Sequence, residues 1–301
     1  MPVDLYLRTG PFIVHVETAC AEVIDGISLL YDPSCVLNRP AFCDYHVAIV
    51  QPLWRRWFRP QALFLFDGYA PYLPGPKRHA LPMLEWGMNW VIATTAHQFL
   101  IIHAAVVERH GLALLLPAPP GSGKSTLCAG LAFRGWRLLS DELALLVPQT
   151  GRVVPLARPI SLKNESIDVI SRFAPEAVMG PRTEGSIKGT IALLKPPHAI
   201  ALEWDVPAVP RWIVFPRYET GAALRMTQRS KAGTLVEIGN NAMNYNIHGG
   251  AGFDALANLI DCCEVGDFVY SDLSAAVEFF TALADGALRG DSTLTLALAG
   301  P

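Results

Sequence analysis

Between Leu114 and Thr126 the chain reads LLLPAPPGSGKST, an apolar run that breaks into prolines and glycines and ends on Gly-Lys-Ser-Thr. From Ala118 this follows the Walker A pattern, with Ala where the first Gly is usual, then four residues, then Gly123-Lys124-Ser125. Gly121 and Gly123 let the backbone fold tightly, so that successive N–H groups can converge on phosphate oxygens. A helix predicted from about Lys124 to Phe133 adds the positive end of its dipole. Pro120, Gly121, Ser122, Gly123, Lys124, Ser125 and Thr126 are therefore the expected phosphate cradle. In it Lys124 reaches the β- and γ-phosphates as a mobile point charge, and the Ser125 hydroxyl ligates Mg²⁺. A strand leading into such a loop and a helix leading out restrict the core to an α/β arrangement.

Mg²⁺ and an attacking hydroxyl both call for carboxylates. Asp141 and Glu142 follow the next predicted strand, Trp136–Ser140, and Asp141 lies 17 residues after Lys124, room for one helix and a tight return. A right-handed crossover sets that strand parallel to the strand of the loop and is expected to place it alongside. The two acids then stand at a carboxyl end, where ligands bind in α/β sheets. They point to opposite sides of an extended chain, which gives them different jobs. The alternative is an ordinary solvated turn.

Composition narrows the class further. The chain has 301 residues, 51% of them hydrophobic, and a net charge of −3, which excludes disorder and the basic excess of a nucleic-acid binder. The most apolar stretch, Trp90 to Val107, is interrupted by Thr94, Thr95, His97, Gln98 and His103, so no membrane span is expected. The opening MPVDLYLRTG has no signal-peptide pattern, and the six cysteines have no metal-ligand spacing. A cytoplasmic protein with reduced thiols is the expectation.

Residues 1–80 read as a β-rich N-terminal region of short strands and turns, with the Pro- and Gly-rich stretch 69–76 as its boundary. Residues 81–301 read as the catalytic unit. It opens with a helix over 81–97 whose Trp86 and Trp90 form a core-facing stripe. Strands follow at 99–107, 112–116, 136–140, 143–147, 153–156, 187–194 and 211–215, with a strand at 268–270 between helices at 253–263 and 273–284. The basic, aromatic run Trp54-Arg55-Arg56-Trp57-Phe58-Arg59 reads as a loop packing its tryptophans inward rather than a nucleic-acid platform. Gly249-Gly250-Ala251-Gly252 lacks a following Lys-Ser/Thr and reads as a hinge. His103 stands equally for a core residue or a site residue on these grounds.

Gly121-Ser122-Gly123-Lys124-Ser125-Thr126, a helix, and then Arg134-Gly135-Trp136-Arg137-Leu138-Leu139-Ser140-Asp141-Glu142 resemble the catalytic domain of HPr kinase/phosphorylase. The whole chain is similar to the HPr kinase-related kinase A family. That likeness includes Leu84 to Trp90, Leu100 to Ala105, Arg158-Pro159-Ile160-Ser161-Leu162-Lys163-Asn164-Glu165 and Lys188-Gly189-Thr190. It implies a P-loop kinase core related to phosphoenolpyruvate carboxykinase, with ATP and Mg²⁺ as cofactors. It also implies Asp141 as the base that takes the hydroxyl proton, Glu142 near the metal, and His103 as a supporting residue on the metal side. Arg158 and Lys163 become candidate phosphate or substrate contacts. Ser186-Ile187-Lys188-Gly189 stands where the family of HPr kinases has Glu-Ile-Arg-Gly, so Lys188 is the expected catalytic cation, without the bidentate fork of Arg. The first eighty residues do not resemble the regulatory domain of HPr kinase. Neither HPr as substrate nor the phosphorylase back-reaction is therefore carried over.

The resulting expectation is a kinase moving the γ-phosphoryl of ATP to a hydroxyl, foremost a serine of a small protein or peptide, in a chain that can self-assemble. Two alternatives stay open: a small-molecule kinase, and an ATP-binding switch with little transfer.

Overall fold

The computed structural model describes residues 1–52, 59–119, 121–186, 189–197 and 203–289. Pro120, Lys188 and the run Trp54 to Phe58 lie outside the described residues. The described residues are mixed α/β, built on three sheets.

The first sheet holds β1 (Val3–Thr9), β2 (Phe12–Thr18), β3 (Val36–Leu37), β4 (Tyr45–Val50), β5 (Gln61–Phe66) and β6 (Gly75–Pro76), in the order β3-β1-β2-β4-β5-β6. Its strands alternate: Val14, Val16, Val47, Ile49, Ala62 and Phe64 turn inward, while Ile13, His15 and Ala48 turn outward and are half-buried. That period of two is what one covered face requires. The cover is α1 (Ala21–Leu30) and α2 (Ala80–Thr95), whose Leu81, Leu84, Met88 and Val91 share one core with the sheet. The ten-residue α1 replaces the turns expected there. Gly75–Pro76, expected as linker, is an edge strand of the same sheet.

The second sheet carries the loop. Its strands are β7 (Leu100–Arg109), β8 (Leu112–Pro117), β9 (Arg137–Ser140), β10 (Leu143–Leu146), β11 (Val153–Val154), β15 (Val209–Tyr218), β16 (Arg225–Gln228) and β17 (Glu264–Tyr270). The third sheet is β12 (Ile160–Lys163), β14 (Gly189–Leu194) and β13 (Thr183–Ser186). Helices α3 (Lys124–Ala132) and α7 (Leu273–Leu288) bury one face of the second sheet, and α4 (Glu165–Phe173) packs on α3 and on β12 of the third in the same core. Helices α5 (Lys231–Asn241) and α6 (Tyr245–Cys262) bury the other. Burial on both faces explains why β7 and β8 are almost continuously apolar: Ala113 and Leu115 enter one core, Leu114 and Leu116 the other. α6 is kinked at Gly249, where φ is 54°.

Two features differ from the sequence reading. β7 lies between β8 and β9, pairing antiparallel with both, so β9 runs parallel to the loop strand but one strand removed from it. Further, β9 and β10 pair in succession along the same edge of β7, from Arg137 opposite Glu108 to Leu146 opposite Leu100. Asp141 and Glu142 thus follow the carboxyl end of β9 as expected, but the chain runs straight on into β10. They occupy a break in the middle of a long antiparallel pairing, just after a register shift at Leu139 opposite Val106 and Val107.

All six cysteines are free. Among the described residues, no helix is long and apolar enough to cross a membrane.

Candidate functional site

The loop after β8 ends at Gly123, the residue before α3, with φ of 90°, and Gly121 has φ of 87°. Both values suit glycine alone. At Gly123 space matters too, since a Cβ there would come within 2.6 Å of the Tyr270 hydroxyl. That hydroxyl donates to the Gly123 carbonyl at 3.0 Å, and the Tyr218 N–H donates to the Ser122 carbonyl at 2.9 Å. The ends of β17 and β15 therefore hold the loop in shape with two carbonyls turned away from its mouth. Burial and the neighbouring Tyr218 raise the Tyr270 phenol well above its usual range, so it remains a donor. Ser125 and Thr126 lie half-buried in the first turn of α3.

Lys124 is buried, 7% exposed, and its Nζ lies 3.2 Å from His103 Nε2 on β7. The same Nε2 lies 3.4 Å from Glu142 Oε2, and Lys163 Nζ at the end of β12 lies 3.6 Å from Glu142 Oε1. One imidazole nitrogen accepts from Lys124 or donates to Glu142, not both at once, so the two contacts exclude each other. Burial alone would raise the Glu142 carboxyl. The His103 hydrogen bond and the Lys163 and Lys124 charges outweigh it and hold Glu142 well below the usual carboxylate range.

Asp141 has the opposite environment. It is 6% exposed, and its Oδ2 accepts the Ser161 backbone N–H at 3.0 Å. Burial, reinforced by the Glu142 charge, pushes its carboxyl above the ordinary value against the pull of Lys124, the Ser161 N–H and Lys163. Its Oδ1 is buried with no partner among the described residues, as is Ser122 Oγ in the loop. Two adjacent acids are thus split, one kept ionised among cations and one made more basic.

The structure brings Lys124, His103, Asp141, Glu142 and Lys163 together. Arg158 takes a different place from a free phosphate contact. Its Nη1 bonds Glu85 Oε2 at 3.3 Å and the Glu85 carbonyl at 3.2 Å, its Nη2 bonds Asn89, and Glu85 also accepts from the Tyr31 hydroxyl at 2.7 Å. Burial raises the Glu85 carboxyl, opposed by Arg158 and Tyr31. This network ties α1 and α2 of the N-terminal layer to the segment before β12. Lys188 and Pro120 fall outside the described residues.

Sequence reasoning missed Ser161, Tyr270, Glu85 and Asn89. A signal existed for one of them: Glu85 is a lone acid in the apolar helix LPMLEWGMNW, and a buried carboxylate needs a partner such as Arg158. Trp90, as expected, packs in the core against Phe66 and Tyr72. Trp86 instead lines the cavity beside Asp141.

The donor set fits a phosphate chain with a hard divalent cation: glycine backbone, a buried lysine, an unpartnered serine hydroxyl and an ionised glutamate. Among the described residues, no three His, Cys, Asp or Glu side chains are grouped to hold a metal by themselves. Mg²⁺ asks less, since it keeps waters and phosphate oxygens and takes one or two protein ligands. Ser125 and Glu142 are the residues suited to it. Comparison with protein-family models gives no match, and comparison with curated proteins gives none.

Proposed function

We propose that this chain is a P-loop phosphotransferase of the HPr kinase-like kind, which moves the γ-phosphoryl group of ATP to a hydroxyl. The observation that carries the reading is the convergence at one place of Lys124, beginning the helix after the glycine loop, with the oppositely tuned pair Asp141 and Glu142. The loop N–H groups and Lys124 bind the phosphate chain and neutralise its charge. Ser125 and Glu142 would hold Mg²⁺, which would supply Lewis-acid neutralisation of the phosphate charge. Ser161 orients Asp141 through its backbone N–H, leaving Oδ1 to accept the proton of the attacking hydroxyl. His103 supports Glu142, and Lys163 supports it from the other side. Lys188 adds a further cation in this reading.

The expected acceptor is a serine on a small protein or peptide. A second reading, a small-molecule acceptor, is favoured by one observation: the partly open cavity at Asp141 is small, with a volume of about 20 Å³. Incubating the protein with γ-labelled ATP, Mg²⁺ and a lysate of its own cell, beside Lys124→Ala, decides between them. Label in a protein band that disappears in the variant supports the leading reading, and label confined to small molecules supports the second. ATP binding without any transfer rejects both and leaves a nucleotide-dependent switch.

A further inference from the structure

The carboxyl end of β15 carries a large ring that the core does not use. Trp212 and Val214 enter the core on the α3 side, and Tyr218 continues their alternation on that face, yet it is 48% exposed. Its place is beside the glycine loop. Its backbone N–H holds the Ser122 carbonyl at 2.9 Å, and a Cβ on Gly123 would come within 3.1 Å of the Tyr218 Cβ. The ring is propped from one side. It meets the Tyr270 ring at 74°, with 5.8 Å between centroids, and Tyr270 is itself stacked on Phe268 and bonded through its hydroxyl to Gly123. The Glu219 N–H, donated to the Tyr270 carbonyl at 3.0 Å, fixes the backbone that follows.

β8 lies between β7 and β15, so these two strands flank the loop that β8 feeds. On one side His103 stands next to Ala104, which pairs with Pro117; on the other stands Tyr218, whose N–H reaches Ser122. On the proposed function the reacting end of the phosphate chain lies among Lys124, Glu142 and Asp141, on the β7 side. The rest of the donor then leaves toward β15, where the carboxyl ends of the parallel strands β8, β15 and β17 lie side by side. A half-exposed, propped ring at that exit offers a flat apolar face. The group that such a face selects at the far end of a phosphate chain is a nucleobase, since every base has a π-face.

We propose that Tyr218 is the platform on which the donor's base stacks, and that the donor is therefore a nucleoside triphosphate rather than an inorganic polyphosphate. The inference rests on the phosphotransfer reading and adds to it the residue that tells the donor from a bare phosphate chain. Stacking reads no hydrogen-bonding edge, so Tyr218 secures a base without choosing among bases. It is a binding residue at the end of the donor opposite the transferred group. Affinity for a nucleotide depends on it, and affinity for phosphates alone does not.

Calorimetric titration of the full chain in Mg²⁺, with ATP and with inorganic tripolyphosphate, tests this. Tripolyphosphate has the phosphate chain without the base, so it reads the loop alone. Tyr218→Ala is expected to weaken ATP by about tenfold or more, within the span for loss of one base stack, and to leave tripolyphosphate within about twofold. Tyr218→Phe keeps the ring and is expected to hold ATP within about twofold of wild type. Tyr218→Leu keeps apolar bulk without a flat face and is expected to lose ATP as the alanine variant does. If the alanine variant does not fold, leucine and phenylalanine carry the comparison. Equal weakening of ATP and tripolyphosphate means that Tyr218 shapes the loop, and overturns the platform. ATP affinity kept in the alanine or the leucine variant does the same, as does a wild-type protein that binds tripolyphosphate but not ATP. A wild-type protein that binds neither overturns the phosphotransfer reading itself.

Discussion

The glycine loop and the acidic break belong to one sheet, yet they take their geometry from different distances along the chain. The loop is shaped almost entirely by its own residues. Gly121 and Gly123 set the turn, Lys124 begins the helix, and among the described residues Tyr218 and Tyr270 hold the Ser122 and Gly123 carbonyls from outside. The break is shaped by strangers. Asp141 is fixed by Ser161, 20 positions on, and Glu142 by His103 and Lys163. Arg158, beside them, is aimed by Glu85, 73 positions back. A locally coded element shows in a motif, whereas an element coded by long-range contacts shows only after folding. On the proposed function, the loop would bind the nucleotide and the break would decide what is done with it.

The largest expected effect tests the loop. Lys124→Ala removes the one buried ammonium aimed from the loop's helix, and transfer is expected to fall by about 10²-fold or more, as when a preorganised charge donor is lost. Lys124→Arg is expected to recover little, because a guanidinium does not fit the space 3.2 Å from His103 Nε2 that the compact ammonium occupies. Measured kcat for label transfer near the wild-type value in Lys124→Ala would show that the loop's charge is not used.

Asp141→Asn tests the break in isolation. The amide keeps an oxygen for the Ser161 N–H but has no carboxylate to take a proton. Transfer is expected to drop by about 10²- to 10⁴-fold, the span of general-base effects, with ATP affinity unchanged. If ATP affinity falls with it, loop and break are one unit and the contrast drawn between them fails.

How much was legible follows the same division. The loop, its strand and its helix are readable because glycine, lysine and serine act there through their own backbone and side chains within about ten residues. The N-terminal strands Tyr45–Val50 and Gln61–Phe66 are readable as β-rich runs bounded by the turn pairs Arg39-Pro40, Arg59-Pro60 and Asp67-Gly68. Asp141 and Glu142 are readable as candidates, but not their setting: periodicity reports which face is apolar, not which strand comes to lie alongside. Hence β7's insertion between β8 and β9 was invisible. α4, with Ile167 and Ile170 buried and Val169 and Phe173 partly so, and α5, rich in Gly and Asn, were passed over. Their helices are secured by packing, since in α5 neither residue type favours a helix interior.

Gly123→Ala sharpens the loop side at smaller scale. An alanine there is strained at φ of 90° and crowds the Tyr270 hydroxyl, so the loop must shift or shed that hydrogen bond. ATP affinity is expected to weaken by about tenfold, the equivalent of about 1.4 kcal/mol, within the range for a residue forced into left-handed backbone. Tyr270→Phe in the same background relieves the crowding but not the backbone, so a partial recovery in a nucleotide titration is expected. Full recovery would mean that contact alone, and not φ, makes glycine necessary.

The smallest expected effect separates the two acids of the break by their pH dependence in metal-free protein. Glu142 has a depressed folded pKa, so its contribution to stability is present above the ordinary glutamate range and is lost as pH falls below it. Asp141 has a raised folded pKa, so the folded state holds its proton more tightly. Its contribution therefore declines as pH rises through the ordinary aspartate range toward the raised value, leaving a penalty at neutral pH. At pH 7, Glu142→Gln is then expected to lower Tm, and Asp141→Asn to raise it, each by a few degrees for a chain of this size. Below the ordinary carboxylate range both differences should shrink, since the wild-type acids then approach the charge of their amides. Thermal scans from neutral to acidic pH in the presence of a chelator read both slopes. Shifts of the same sign at pH 7 would mean that the cations around Glu142 serve both acids alike. The split that the proposed mechanism requires, one acid holding metal while its neighbour takes a proton, would then be absent from the protein.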